Sequence, residues 1–124
     1  MADNAYTFDF GAGRSPICAI KVTLKPDGRD RLFSVVREFA QLNKFAVRIA
    51  RLKPDVDVFY IDLWKLDMAV AGENVLEPSV FELSFYIDPS KGGTRDVAVS
   101  LAKQLRQALG LMPGVTAEVE EKPD

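Results

Sequence analysis

The stretch Val58-Phe59-Tyr60-Ile61-Asp62-Leu63-Trp64-Lys65-Leu66 decides how the rest of the chain is read. In an extended strand, successive side chains point to opposite faces. Phe59, Ile61 and Leu63 then share one side and read as core. Tyr60, Asp62, Trp64 and Leu66 share the other, which carries too much ring surface for a strand with one wet face. Such a strand needs a cover on its second side, or a partner.

The same alternation recurs outward from it. Cys18, Ile20, Val22 and Leu24 alternate with Ala19, Lys21 and Thr23 over Ile17 to Leu24. Phe45, Val47 and Ile49 alternate with Ala46, Arg48 and Ala50. Phe81, Leu83, Phe85 and Ile87 face away from Glu82, Ser84, Tyr86 and Asp88, and Val115, Ala117 and Val119 face away from Thr116, Glu118 and Glu120. Two stretches follow helical spacing instead. One has apolar residues at 32, 35, 36, 39 and 42 and runs to about Asn43; the other has them at 98, 101, 102, 105, 108 and 109. Asp27 and Thr94 stand where side-chain caps are expected. Gly110 stands where a left-handed residue commonly stops a helix, with Pro113 beyond it. Ala71-Gly72-Glu73-Asn74 and Glu77-Pro78 read as a loop, so the third strand reaches Val70 at most.

The expected order is β-α-β-β-β-α-β. Two helices cover only one face of a single sheet. This predicts an α+β, ferredoxin-like two-layer sandwich: one mainly antiparallel sheet of about five strands, with both helices on one face. Residues 17–121 form the domain and 122–124 a tail. Residues 1–16 read as an N-terminal arm or edge strand, from the alternation of Tyr6, Phe8 and Phe10 before Gly11-Ala12-Gly13.

Composition narrows the function classes. The chain has 124 residues, 48% hydrophobic and 27% charged, with a net charge of −2. That balance gives little bulk attraction for nucleic acid or an anionic membrane, and no apolar run reaches the length of a span. The N-terminus lacks the basic segment and apolar stretch of a secretion signal. Cys18 is the single cysteine and forms no internal disulfide, so a cytoplasmic setting is expected. Zero histidines remove the commonest general base, zinc ligand and pH switch. The expectation leans away from an enzyme, with no cofactor, no metal site and no catalytic residues assigned.

With the apolar sets turned to the helices, the opposite sheet face carries Lys21, Thr23, Arg48, Tyr60, Asp62, Trp64, Glu82, Ser84, Tyr86, Thr116, Glu118 and Glu120. Tyr, Trp and Arg concentrate at binding hot spots. The expected contact set is Tyr60, Trp64 and Tyr86 as anchors, with Arg48, Asp62 and Glu82 as polar rim. The neighbouring carboxylates repel phosphates, which argues against stacking of single-stranded RNA. Asp62 and Glu82 are candidates to face each other across a hairpin as a carboxylate pair. Lys91, Gly92, Gly93 and Thr94 before the second helix form a weak candidate anion site, without the spacing of a phosphate-binding loop. Asp9-Phe10-Gly11 matches a kinase metal-binding triplet, yet no other kinase element accompanies it.

The function expected from these features is a non-enzymatic protein-binding module, of inhibitor or immunity type or an accessory subunit, using the open sheet face for another protein or for self-association. The alternative is a homodimeric barrel with a small-molecule or catalytic pocket between two sheets.

Overall fold

The computed structural model describes residues 15–122. The expected arm around Tyr6, Phe8 and Phe10 lies outside them, as does the end of the tail. Among the described residues the order is β1 (Cys18–Leu24), α1 (Arg29–Leu42), β2 (Ala46–Arg51), β3 (Phe59–Lys65), β4 (Met68–Glu77), β5 (Val80–Ile87), α2 (Arg95–Gly110) and β6 (Val115–Glu121). All six strands join one sheet in the order β2-β3-β4-β5-β1-β6, with every neighbouring pair antiparallel.

The sheet therefore has six strands rather than about five. The extra one is β4, which falls where a loop was expected. Two features hid it. Its sequence, Met68-Ala-Val-Ala-Gly-Glu-Asn, is poor in the β-branched and aromatic residues that strands favour. The two-residue turn before it is Leu66-Asp67, and neither residue has the positive φ that brings Asn-Gly or Gly into most such hairpins. Leu66 thus sits in the turn and not on the sheet face.

Register settles which side each residue occupies. Ile61 pairs with Gly72 and Leu63 with Val70, while Ile20 pairs with Leu83 and Val22 with Phe81. Apart from Gly72, these residues form one core cluster with Cys18, Phe85, Val115 and Ala117. Both helices pack into the same cluster, α1 through Leu32, Phe33, Val36, Phe39 and Ala40 and α2 through Ala98, Ala102, Leu105 and Leu109. Phe33 meets Phe59 and Phe81 edge-on, at centroid distances of 5.3 and 5.9 Å, an arrangement worth more than its buried area alone. The helices are thus confined to one face.

Three local expectations need correction. Asp27 does not cap α1: Gly28 holds that position without a side-chain bond, and Asp27 instead lies 3.7 Å from Arg31. Gly110 is the last residue of α2 and not a left-handed stop, since Leu111 follows in ordinary helical conformation. Phe45 lies just outside β2 and is buried against Phe39, while Val47 is 38% exposed because β2 is a sheet edge. Thr94 does cap α2, its hydroxyl accepting from the Val97 N–H at 3.3 Å.

Candidate functional site

The side of the sheet away from the helices is built from three cross-strand rows. In the first, Ala46, Trp64, Ala69 and Tyr86 follow one another from β2 to β5. Trp64 and Tyr86 are therefore two strand spacings apart, about 10 Å, with the methyl of Ala69 between them. In the second, Arg48, Asp62, Ala71, Ser84, Ala19 and Glu120 cross the whole sheet. In the third, Ala50, Tyr60, Glu73, Glu82, Lys21 and Glu118 do the same. The middle of the face is a floor of small side chains, with the rings rising on either side of its first row.

The six expected contact residues do share this face, but not as one tight cluster. Tyr60 is 36% exposed, Trp64, Asp62 and Tyr86 are half-buried, and Arg48 and Glu82 are exposed. Arg48 stands directly opposite Asp62. Asp62 and Glu82 do not meet: Asp62 pairs with Ala71, Glu82 pairs with Glu73, and a strand separates them. The carboxylates brought face to face are Glu73 and Glu82, which sequence reading missed because Glu73 was assigned to a loop. With Lys21, Glu120, Val75, Leu76 and Val80 they line a shallow groove of about 420 Å³. Glu73 Oε2 accepts from the Val75 N–H at 2.6 Å, and Leu76, at the hairpin tip beside the groove, is 98% exposed.

Burial pushes the Asp62 carboxyl above its ordinary range, and Arg48 opposes the shift. The folded form thus holds its proton to higher pH than the unfolded chain does, and stability falls as pH rises from the ordinary carboxylate range through the raised value. Asp62→Asn is expected to raise the thermal midpoint by ~2 °C or less at pH 7 and to leave it unchanged at pH 3, where both states are neutral. Equal shifts at both pH values in thermal unfolding would show that the charge carries no burial penalty. Cys18 is a buried thiol whose pKa is pushed up to about 11, first by burial and then by Glu121, with Arg95 opposing; it is held in the unreactive protonated form. At the sheet's far end Glu120 is lowered by its 2.8 Å bond to Lys122, which is raised in return.

The turn before α2 uses its donors internally. The Asp88 side chain, 2% exposed, accepts from Ser90 N at 3.0 Å and from the Ser90 hydroxyl at 2.6 Å. Lys91 N and Gly93 N donate to Asp88 O, and Gly92 N donates to Pro89 O. The N–H groups of Ser90, Lys91, Gly92 and Gly93 are thus committed within the turn, and the hydroxyl of Thr94 to its cap. Among the described residues no three His, Cys, Asp or Glu side chains gather as metal ligands, and no helix is long and apolar enough to cross a membrane.

No family model matches this chain and no curated protein is significantly similar to it.

Proposed function

We propose that the chain is a non-enzymatic protein-binding module that engages a basic surface of another protein with its open sheet face. The supporting observation is the composition of that face. Three half-exposed rings stand over small residues, of which Ala19 and Ala69 are buried, and five carboxylates (Asp62, Glu73, Glu82, Glu118, Glu120) outnumber Lys21, Arg48 and Lys122. A second copy packed face to face would bring like charge to like charge, and nucleic acid would be repelled. A cationic partner meets neither penalty. Trp64 and Tyr86 act as anchors and Tyr60 as a third; Arg48, Asp62, Glu73 and Glu82 form the polar rim. The reading covers an inhibitor, an immunity-type partner or an accessory subunit.

We also read the core as ferredoxin-like. Setting aside β2 and β3 as an added edge hairpin leaves β-α-β-β-α-β in sheet order β4-β5-β1-β6. That fold hosts many unrelated roles and adds nothing to the functional reading.

The test is site-specific photo-crosslinking in the native cell, with the reactive group at position 64 or, as a control on the helix layer, at position 104. Position 64 is expected to capture one protein with a basic contact surface, and position 104 none. In the purified pair, Trp64→Ala should weaken binding by about 30-fold, the effect of losing an anchor worth ~2 kcal/mol, with circular dichroism unchanged. Crosslinks only to a second copy, or to an acidic partner, would refute the reading.

A further inference from the structure

The two edges of the sheet are finished differently. At β6, side chains of α2 reach two backbone carbonyls: Arg106 Nε donates to Ala117 O at 3.2 Å, and Arg95 donates to Lys122 O. At β2, among the described residues, no helix side chain reaches the outward backbone groups. Leu52 N donates to Val58 O at 2.8 Å, and these residues stand opposite each other in the β2–β3 register. Hydrogen-bonded and non-bonded pairs alternate in an antiparallel ladder. Ala46, Arg48 and Ala50 therefore bond inward to β3, and Val47, Ile49 and Arg51 turn their N–H and C=O groups outward. Among the described residues those outward groups have no hydrogen-bond partner.

The edge is also electrically distinctive. Residues 44–53, Lys-Phe-Ala-Val-Arg-Ile-Ala-Arg-Leu-Lys, carry Lys44, Arg48, Arg51 and Lys53 and no acid. Arg51 is held at one end, 3.2 Å from Asp57 and over the Phe59 ring. Leu42, Val47 and Leu52 are exposed beside it and offer apolar contact.

We propose that β2 is a strand-accepting edge that takes an extended acidic segment of a partner protein as a seventh strand of the sheet. Outward amides and carbonyls supply the ladder, and the cations select the sign of the incoming chain. A second β2 is a poor occupant, because antiparallel pairing about Ile49 sets the two Arg48 side chains on diagonal positions of one face and adds a second set of cations to the edge with no acid to offset them. Cations on an edge also deter aggregation, and in that role alone they would admit no strand. This surface shares Arg48 with the rim of the sheet face but uses none of its ring anchors.

The test uses the full chain, labelled for amide exchange, with acetylated hexapeptides alternating glutamate–valine or lysine–valine as probes. With ~1 mM of the glutamate peptide, exchange at Val47, Ile49 and Arg51 should slow about threefold or more, as expected for partial saturation of a weak site. Ala46, Arg48 and Ala50 should not change, nor should the lysine peptide protect. Val47→Pro removes one outward donor without touching the β3 ladder and should abolish the effect. Arg48→Glu combined with Lys53→Glu should lose the glutamate peptide and gain the lysine one. Trp64→Ala should leave the protection intact, which separates this site from the sheet face. Absence of protection by the glutamate peptide, equal protection by both peptides, or protection arising from dimerisation without peptide would each overturn the proposal.

Discussion

Gly93→Ala is expected to destabilise the fold by about 3 kcal/mol, more than any other glycine substitution among the described residues. A Cβ at this position would lie 2.4 Å from Asp67 O and 3.0 Å from both Asp88 N and Asp88 O. All three are backbone atoms, so no side chain can swing aside. The same atoms form the joint between the β3–β4 turn and the turn before α2. Asp88 N donates to Asp67 O at 2.8 Å, and Gly93 N donates to Asp88 O at 3.0 Å. Relief of the clash would separate the two turns and break those bonds. Gly92→Ala is the control: it has open space around it but a φ of +94°, so it should cost only ~1 kcal/mol of backbone strain. Urea unfolding of the pair measures the difference. A Gly93→Ala variant no less stable than Gly92→Ala would mean the turns are not in contact.

Asn74→Ala should cost about 3 kcal/mol, an unusual loss for one polar residue. Asn74 is 1% exposed at the point where the β4–β5 register shifts. Its Oδ1 accepts from Phe59 N at 2.7 Å, and its Nδ2 donates to Asp57 O at 2.9 Å and Pro78 O at 3.0 Å. Truncation strands the buried Phe59 N–H and takes the donor from the part-buried carbonyls of Asp57 and Pro78. Asn74→Asp sharpens the test. It keeps the acceptor for Phe59 but aims a carboxylate oxygen at two carbonyl oxygens. Burial and repulsion both favour the protonated acid, raising its folded pKa above the unfolded value. Stability should therefore be lowest at neutral pH and recover as pH falls through the raised value, because the neutral acid donates one of the lost bonds. Urea unfolding at pH 4 and pH 7 reads this directly; wild-type stability at pH 7 would show that the carboxamide is not the clamp.

Much of this molecule follows from periodicity. The inward sets Cys18/Ile20/Val22 and Phe81/Leu83/Phe85, and the stripes of α1 and α2, are legible because burying one face leaves a repeat of two or of about 3.6 along the chain. The same reasoning places Tyr60, Trp64, Tyr86, Arg48, Asp62 and Glu82 on the face away from the helices. Strand β4 is not legible. Its Ala69, Ala71 and Gly72 are chosen by their neighbours: a Cβ on Gly72 would meet Leu83 Cδ2 at 2.4 Å and Ile61 Cβ at 3.3 Å. Glu73 consequently went unseen as the residue opposite Glu82, and Asn74 as a buried clamp.

What the amino-acid order determined alone is which side chains must leave water and with what spacing, since that depends only on local geometry and polarity. Which strands lie side by side, which carboxylates meet, and which edge stays open were decided by tertiary packing. Those outcomes depend on volumes and backbone bonds contributed by residues distant in the chain, such as Leu83 against Gly72 and Arg106 against β6.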